Sequence, residues 1–326
     1  MGFDIKYYAM AEQEIKRRRR ANSRKSENRR AEIERRFPEY RKLRGVLAAT
    51  GAKIASAVIG GGENVKERIA AIEAENLKTA AKIADLLTLG GYPPDYLDPV
   101  HSCGKCLDTG IADDARCECF KNAVKRLAAE GINSKSPLVL TGFETFETEL
   151  YPDEEEKSSG ENIRDIMRDN FIYCQNYADN FHLPNAGILL IGGTGLGKTH
   201  LSLAVAGRTL ENGFNAVYGS APDLFRKIEN EHFGRENGDT ASALQSADLL
   251  VLDDIGAEFN SSFYMSVFYN LLNSRMNAGL PLIISTNSAM PELEGRYGER
   301  VVSRLITMKI LKFYGNDIRQ LKRRFV

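Results

Sequence analysis

Apolar positions recur along the chain in two different rhythms. From residue 187 onward they come as short unbroken runs separated by amphipathic stretches. Gly187-Ile188-Leu189-Leu190-Ile191, Leu249-Leu250-Val251-Leu252 and Leu282–Thr286 read as strands buried on both faces, as in a parallel sheet. Phe214–Tyr218 and Thr307–Phe313 complete a set of five. Helices are predicted between them at about 198–212, 222–233, 261–278 and 295–305. This alternation predicts an α/β fold around a five-stranded, mainly parallel sheet.

The first half has helical rhythm. Residues 1–37 predict one long helix with a thin apolar record (Ile15, Ile33, Phe37), interrupted by Pro38. Residues 39–59 predict a second helical segment, and Gly60-Gly61-Gly62 a turn. Asn64 is the expected cap of an amphipathic helix in which Val65, Ile69, Ile72, Leu77, Ala80, Ile83 and Leu87 form the apolar stripe. Gly90-Gly91 ends it. Further helices are expected from Cys119 to Gly131 and from Asn162 through Asn180. Asn133-Ser134-Lys135-Ser136-Pro137 reads as a linker. The organisation expected is a helical domain over 1–133 and an α/β domain over 138–326.

Charge alters this picture in one respect. The 326 residues carry a formal net charge of +0, yet the charge is segregated. Residues 1–46 hold 15 Lys/Arg against 7 Asp/Glu, residues 144–165 hold 9 acids against 2 bases, and residues 296–326 hold 9 bases against 2 acids. Basic ends suit polyanion or protein docking; a solvated helix face is the plainer alternative for 1–37. No apolar run reaches membrane-spanning length, and no signal peptide is read. With four of its five cysteines clustered, the chain does not look like a secreted disulfide scaffold, so a cytoplasmic protein is expected.

The most specific motif is Gly192-Gly193-Thr194-Gly195-Leu196-Gly197-Lys198-Thr199, which fits G-x-x-x-x-G-K-[ST] between a predicted strand and the helix opened by His200. Glycines let successive N–H groups converge on phosphate, and the helix N-terminus adds partial positive charge. Lys198 is expected to reach the β- and γ-phosphates and Thr199 to ligate Mg²⁺. Asp253-Asp254 ends an apolar strand, which delivers both carboxylates to the sheet edge where the P-loop lies. Asp253 is the expected Mg²⁺ holder and Asp254 the group that orients and deprotonates water. Asn287 ends a third strand, Ile283-Ile284-Ser285-Thr286-Asn287, and could bond the γ-phosphate or the water. Arg296, Arg300 and Arg304 recur every four residues, which would place them on one helix face.

Cys103-Gly104-Lys105-Cys106 and Cys117-Glu118-Cys119 form two close pairs in a stretch rich in turn residues. They suit a closed, structural Cys₄ zinc site, with His101 as a less favoured substitute ligand. A redox C-x-x-C is the rival reading, but its thioredoxin-like context is missing. Cys174 stands apart and is expected to be inert.

These residues together resemble the AAA+ ATPases of the DnaC/DnaI/IstB group. The likeness is carried by Gly192–Thr199, Asp253-Asp254, Ser285-Thr286-Asn287, Gly298–Leu305 and Gly315–Arg319. The cysteine stretch, with Asp108-Thr109-Gly110, resembles the zinc-bearing N-terminal domain of DnaI-type bacterial helicase loaders. The resemblance implies an AAA+ P-loop core preceded by a helical zinc-binding domain. It assigns Gly193, Thr194, Gly195, Leu196, Gly197, Lys198, Thr199 and His200 to the nucleotide-binding loop. Asp253 and Asp254 become the Walker B pair, Asn287 sensor 1, Arg304 an arginine finger acting on a neighbouring subunit, and Arg319 a sensor 2-like residue. Phe143 and Phe146 match the segment near the adenine. Most AAA+ proteins have Glu where Asp254 stands, and the shorter acid fits slow, switch-like hydrolysis. ATP, Mg²⁺ and Zn²⁺ are the implied cofactors. The implied partners are a hexameric DnaB-type replicative helicase, single-stranded DNA and further copies of the chain. An IstB-like transposition ATPase is the alternative, less favoured because of the cysteine cluster. A third reading is a non-catalytic adaptor in which ATP only stabilises the fold.

Overall fold

The computed structural model describes residues 3–60, 64–133, 141–157, 159–259 and 261–323. Packing divides the chain into two compact units, Glu12–Phe120 and Lys121–Val326 together with Met1–Ala11.

The smaller unit is built on α1 (Ile5–Arg36), which enters it at Glu12, with α2 (Tyr40–Ala48), α3 (Thr50–Ile59) and α4 (Val65–Leu89). On α1, Ile15, Ser26 and Ile33 are buried and Arg18, Asn22 and Arg29 half-buried, steps of three or four that define one helix face. Ile33 packs with Tyr40 and Leu87, and Phe37, Ile83, Tyr92 and Tyr96 surround them. Glu32 accepts bonds from both Tyr92 Oη (2.7 Å) and Tyr96 Oη (2.8 Å), tying the segment after α4 to α1. The segment predicted as one helix over 39–59 is two, with Ala49 between them. Asn64 precedes α4 but makes no side-chain cap. Leu77 (73% exposed) and Ala80 lie outside the buried seam. That seam faces α2 and α3 and, at Leu87, Ile33 of α1. Beyond Gly60, the expected glycine turn falls outside the described residues. A short hairpin of β1 (Ile111–Ala112) and β2 (Ala115–Arg116) follows the first cysteine pair.

The helix α5 (Glu118–Asn133) passes from one unit into the other. Ala128, Ala129 and Ile132 are buried in the core of the larger unit with Leu189 and Val217. Asn133 donates to Ala216 O (2.9 Å) and accepts from the Tyr218 N–H (3.0 Å), extending the sheet edge. Packing therefore divides the chain at Phe120 and Lys121, earlier than the expected linker, because the apolar face of α5 is spent on the larger core. Past Asn133, that linker lies outside the described residues.

The larger unit continues with α6 (Ile163–Asp179), β3 (Ile188–Gly192), α7 (Lys198–Glu211), β4 (Ala216–Ser220), α8 (Ala221–His232), α9 (Thr240–Ser246), β5 (Leu249–Ile255), α10 (Ser262–Asn277), β6 (Leu282–Thr286), α11 (Met290–Tyr297), α12 (Glu299–Leu305), β7 (Lys309–Phe313) and α13 (Ile318–Arg323). The strands form one sheet in the order β4-β5-β6-β3-β7, every pair parallel. One face is covered by a cluster containing Phe225, Phe268 and Leu305, the other by one containing Met167, Leu201 and Val205. With β3 between β6 and β7, and β5 beside β6, the C-terminal ends of β3, β5 and β6 are neighbours. The helix predicted over 295–305 is two, because Gly298 (φ 80°) breaks it in a conformation that favours glycine. Arg296 and Arg304 therefore sit on different helices rather than on one face.

Candidate nucleotide site and metal centre

Gly195 (φ 74°) and Gly197 (φ 89°) turn the chain between β3 and α7. A Cβ on Gly197 would lie 2.8 Å from Tyr151 Oη and 2.9 Å from the Phe146 ring, so only glycine fits there. Tyr151 Oη donates to Leu196 O (2.8 Å) and pins the loop from below. The loop borders a cavity of about 380 Å³. Thr194, Gly195, Leu196, Gly197, Lys198, Thr199 and His200 line it, with Asp254, Asn287 and Arg319 opposite. Gly193 contributes its carbonyl, which accepts from Lys198. Phe146 lines the cavity and meets the His200 ring edge-on at 5.3 Å. Phe143, its expected companion, is buried in the core against Phe171. His200 Nε2 lies 3.0 Å from Gly142 O, fastening the segment before Phe146 to α7.

Lys198 is 6% exposed. Its Nζ donates to Gly192 O (2.7 Å), Gly193 O (2.6 Å) and Asn287 Oδ1 (2.8 Å), using every donor it has. Burial lowers its pKa, while the charges of Asp254 and Asp253 oppose that shift. Asn287 Nδ2 in turn donates to Asp254 Oδ1 (2.7 Å), so one amide joins the P-loop cation to the second carboxylate.

Asp253 receives three hydroxyls. Thr199 Oγ1 donates to Oδ2 (2.9 Å), Tyr218 Oη to Oδ2 (2.8 Å) and Ser285 Oγ to Oδ1. The Ser285 hydroxyl also accepts the Asp254 N–H (2.9 Å). Burial, reinforced by the Asp253 charge, pushes the Tyr218 pKa up and keeps its proton in place as a donor. Asp254 has φ 64°, and the β5–β6 register shifts between Leu252 and Ile255. This bulge turns Asp254 toward the cavity while Asp253 stays in the sheet edge. Hard oxygen donors from Thr199, which lines the cavity, and from the buried Asp253 bonded to it fit Mg²⁺. The glycine cradle and Lys198 fit the phosphates of a nucleotide.

Arg319 borders the cavity. Arg304 does not: its guanidinium bonds Asn273 Oδ1 (2.8 Å) and Arg300 O (2.9 Å) and stacks on Tyr269 at 4.8 Å. Arg296 is fastened to the end of β5 through Gly256 O (2.7 Å) and the buried Glu258. Tyr218 and Tyr151 are the site residues that sequence reasoning missed. Tyr218 ends a predicted strand, but only the observed β4–β5 pairing brings it to Asp253. Tyr151, in an irregular acidic stretch, carried no signal.

In the smaller unit the four sulfurs of Cys103, Cys106, Cys117 and Cys119 lie within 4.8 Å of one another. The Cys103–Cys117 and Cys106–Cys119 separations are 3.9 and 3.5 Å. Tetrahedral Zn–S bonds of about 2.3 Å put sulfurs roughly 3.8 Å apart, so the cluster fits zinc and leaves no open position. His101 instead faces Asp108 (3.9 Å). The tight turns need Leu107, Asp108, Asp113 and Asp114 at positive φ. Asp108, 1% exposed, accepts the Ser102 and Cys103 N–H groups (2.9 and 3.0 Å) and pairs with Arg18 Nε (3.0 Å). Arg18 Nη2 donates to Cys119 Sγ (3.4 Å) and Asn22 Nδ2 to Asp108 (2.8 Å), so α1 supplies an outer shell to the cluster. Cys174 is buried, and burial pushes its thiol up to about 12, which makes it inert.

Residues 177–314, which contain the P-loop, Asp253, Asp254 and Asn287 but not Phe146, Tyr151 or Arg319, match the family described as IstB-like ATP binding protein. The matched segment is under half of the chain and lies within the larger unit, whose sheet and P-loop cavity suit an ATP-binding domain. Among curated proteins, the chain is 26% identical over 134 residues to the replicative helicase loader DnaC of Escherichia coli K12, covering 40% of this chain and 55% of that one. It is 29% identical over 112 residues to the replicative helicase loader DnaI of Bacillus subtilis 168, covering 34% and 36%. The chain thus spans about half the length of the first of these relatives. A crystal structure of the DnaC helicase loader superposes with a TM-score of 0.44 at 22% identity, covering 53% of this chain and 97% of that one. No helix among the described residues is long and apolar enough to cross a membrane.

Proposed function

We propose that the chain is an ATP-dependent loader that grips a hexameric DnaB-type replicative helicase through its helical, zinc-binding N-terminal region and delivers it onto single-stranded DNA. One observation carries the reading. A P-loop cavity, largely within the segment that matches the IstB-like ATP binding family, stands in one chain with a separate compact unit, which carries a closed Cys₄ cluster and no second reaction centre among its described residues. The exposed apolar side chains Ile59, Leu77 and Leu89 on α3 and α4 support a protein-binding role for that unit.

In this reading, Lys198 and the Gly193–Thr199 backbone bind the triphosphate. Thr199 and Asp253 hold Mg²⁺, which supplies neutralisation of the phosphate charge. Asp254 orients the attacking water and Asn287 positions Asp254. Arg304, fastened away from its own cavity, acts on the nucleotide of a neighbouring copy, and Arg319 contacts the phosphates in its own. Hydrolysis is slow and releases the grip.

The test is a pull-down with the replicative helicase, with and without ATP, using the whole chain. Capture that depends on nucleotide is expected. Absence of capture in both states defeats the reading. Absence of capture together with ATP-dependent coating of duplex DNA would place the chain with transposition ATPases instead.

A further inference from the structure

The outer face of α1 has no assigned role, and its charges are arranged in an unusual way. A helix turns about 100° per residue. Ile15, Arg18, Asn22, Ser26, Arg29 and Ile33 therefore fall on one side, and burial puts that side against the rest of its unit. The opposite side carries Lys16, Arg17, Arg20 and Arg24, all exposed. The acids of α1 are mostly committed elsewhere. Glu12 pairs with Arg116 (2.7 Å), Glu32 accepts from two tyrosines, and Glu34 pairs with Arg44 (2.7 Å). Glu14 has its own interaction, and Glu27 is the carboxylate that remains on the basic side. Among the described residues, Arg17, Arg19, Arg20 and Arg24 have no ion-pair partner. The internal pairing thus neutralises most of the acids and leaves a cationic stripe of about two helical turns, or roughly 12 Å, interrupted by Glu27.

The stripe holds no aromatic side chain between Glu12 and Arg36. It offers bases no stacking platform, so its contacts to a nucleic acid go to the phosphates. The guanidiniums are forked donors that suit phosphate oxygens. A duplex presents about one charge per 1.7 Å of axis, denser than a single strand. We propose that this face of α1 binds the phosphate backbone of duplex DNA, without sequence preference and independently of nucleotide. Such binding holds the chain on the duplex flanking the place where it acts. It uses no residue of the nucleotide site and none of the exposed apolar side chains, Ile59, Leu77 and Leu89, that support helicase binding.

The test uses the whole chain carrying R17Q, R20Q and R24Q together, with K78Q/K82Q on α4 as an equal-sign control. Zinc content and circular dichroism check folding; the three arginines are exposed and structurally unpaired, so both should be unchanged. Binding to a fluorescent duplex is followed by anisotropy from 50 to 200 mM salt, with and without ATP. The triple variant is expected to bind at least tenfold more weakly at about 100 mM salt. Its log–log salt slope should be shallower by roughly 2 to 3, at about 0.9 for each phosphate that is no longer neutralised. The control should match the parent, and nucleotide should not alter the difference. A triple variant with parental affinity and slope overturns the proposal. So does a control that weakens as much, an effect confined to the ATP state, or stronger binding to single strand than to duplex. Helicase capture measured on the same variant tells the two readings apart, since it should survive.

Discussion

The Asp253 carboxylate shows how much the residue types alone revealed. The acid pair, Lys198, Thr199 and Asn287 were readable because a strand that ends in a polar side chain delivers it to one edge of a parallel sheet. Their partners were not. Tyr218 reaches Asp253 across a strand pairing that no local pattern encodes, and Tyr218→Phe removes a charge-assisted hydrogen bond of about 1.5–3 kcal/mol. We expect ATP binding to persist while steady-state hydrolysis falls about tenfold, as Mg²⁺ affinity drops. Asp254→Asn keeps a side chain that tolerates positive φ and removes the charge. Thermal stability should be unchanged and hydrolysis lost; a folding defect would show that the charge, not the backbone, holds the bulge. At the metal centre, the cysteines were legible by spacing, whereas Arg18 was hidden in a basic run. Arg18→Met should loosen zinc 10- to 100-fold in a chelator competition, the usual cost of losing an outer-shell partner.

At the scale of elements, the short apolar runs identified every strand of the sheet, and boundaries moved by up to three residues, the most at the C-terminal end of β5. The failures have physical causes. Gly298 could be tolerated inside a helix, and only its φ of 80° shows that it divides one. The short α9 has a capping Asp239, which accepts the Ser242 N–H (3.2 Å), but too few residues for an apolar period to register. What anchors α9 was also invisible. Arg275 on α10, fully buried, donates to Leu244 O (2.7 Å) and Ala247 O (2.8 Å) at the end of α9 and to Pro281 O (2.7 Å) before β6. It joins three connections that would otherwise leave buried carbonyls without donors. Arg275→Met should destabilise the domain by about 3 kcal/mol or more in urea unfolding, since each stranded acceptor costs about 1–3 kcal/mol. A loss below about 1 kcal/mol would mean that water takes over these carbonyls.

At the scale of the whole molecule, the α/β class was legible and the division of the chain less so. A domain boundary was expected at the turn-rich stretch after α5. Packing instead assigns most of that helix to the larger core, because composition marks where a chain is loose and not which core claims the helix before it. Around the cysteines, residues 98–117 supply little apolar core, with Cys106 and Cys117 the buried hydrophobic positions there. Zinc removal by a strong chelator should therefore unfold this segment and release α1 from its Arg18 and Asn22 bonds, seen as increased amide exchange over 16–30 and 98–117. Nucleotide binding by the larger unit should survive, because none of its cavity-lining residues belongs to the smaller one. Loss of ATP binding on chelation would show that the two units fold as one.

The amide of Asn287 has a consequence of its own. Its oxygen faces an ammonium and its nitrogen a carboxylate, so the group has a fixed polarity, like a component that can be wired only one way round. Aspartate there would repel Asp254, and leucine, similar in size, would satisfy neither end. A phosphate drawing protons from Lys198 would pull at one terminal of this component and so be felt at the other. In the proposed reading Asn287 would thereby be the junction through which a γ-phosphate held by Lys198 is felt at Asp254.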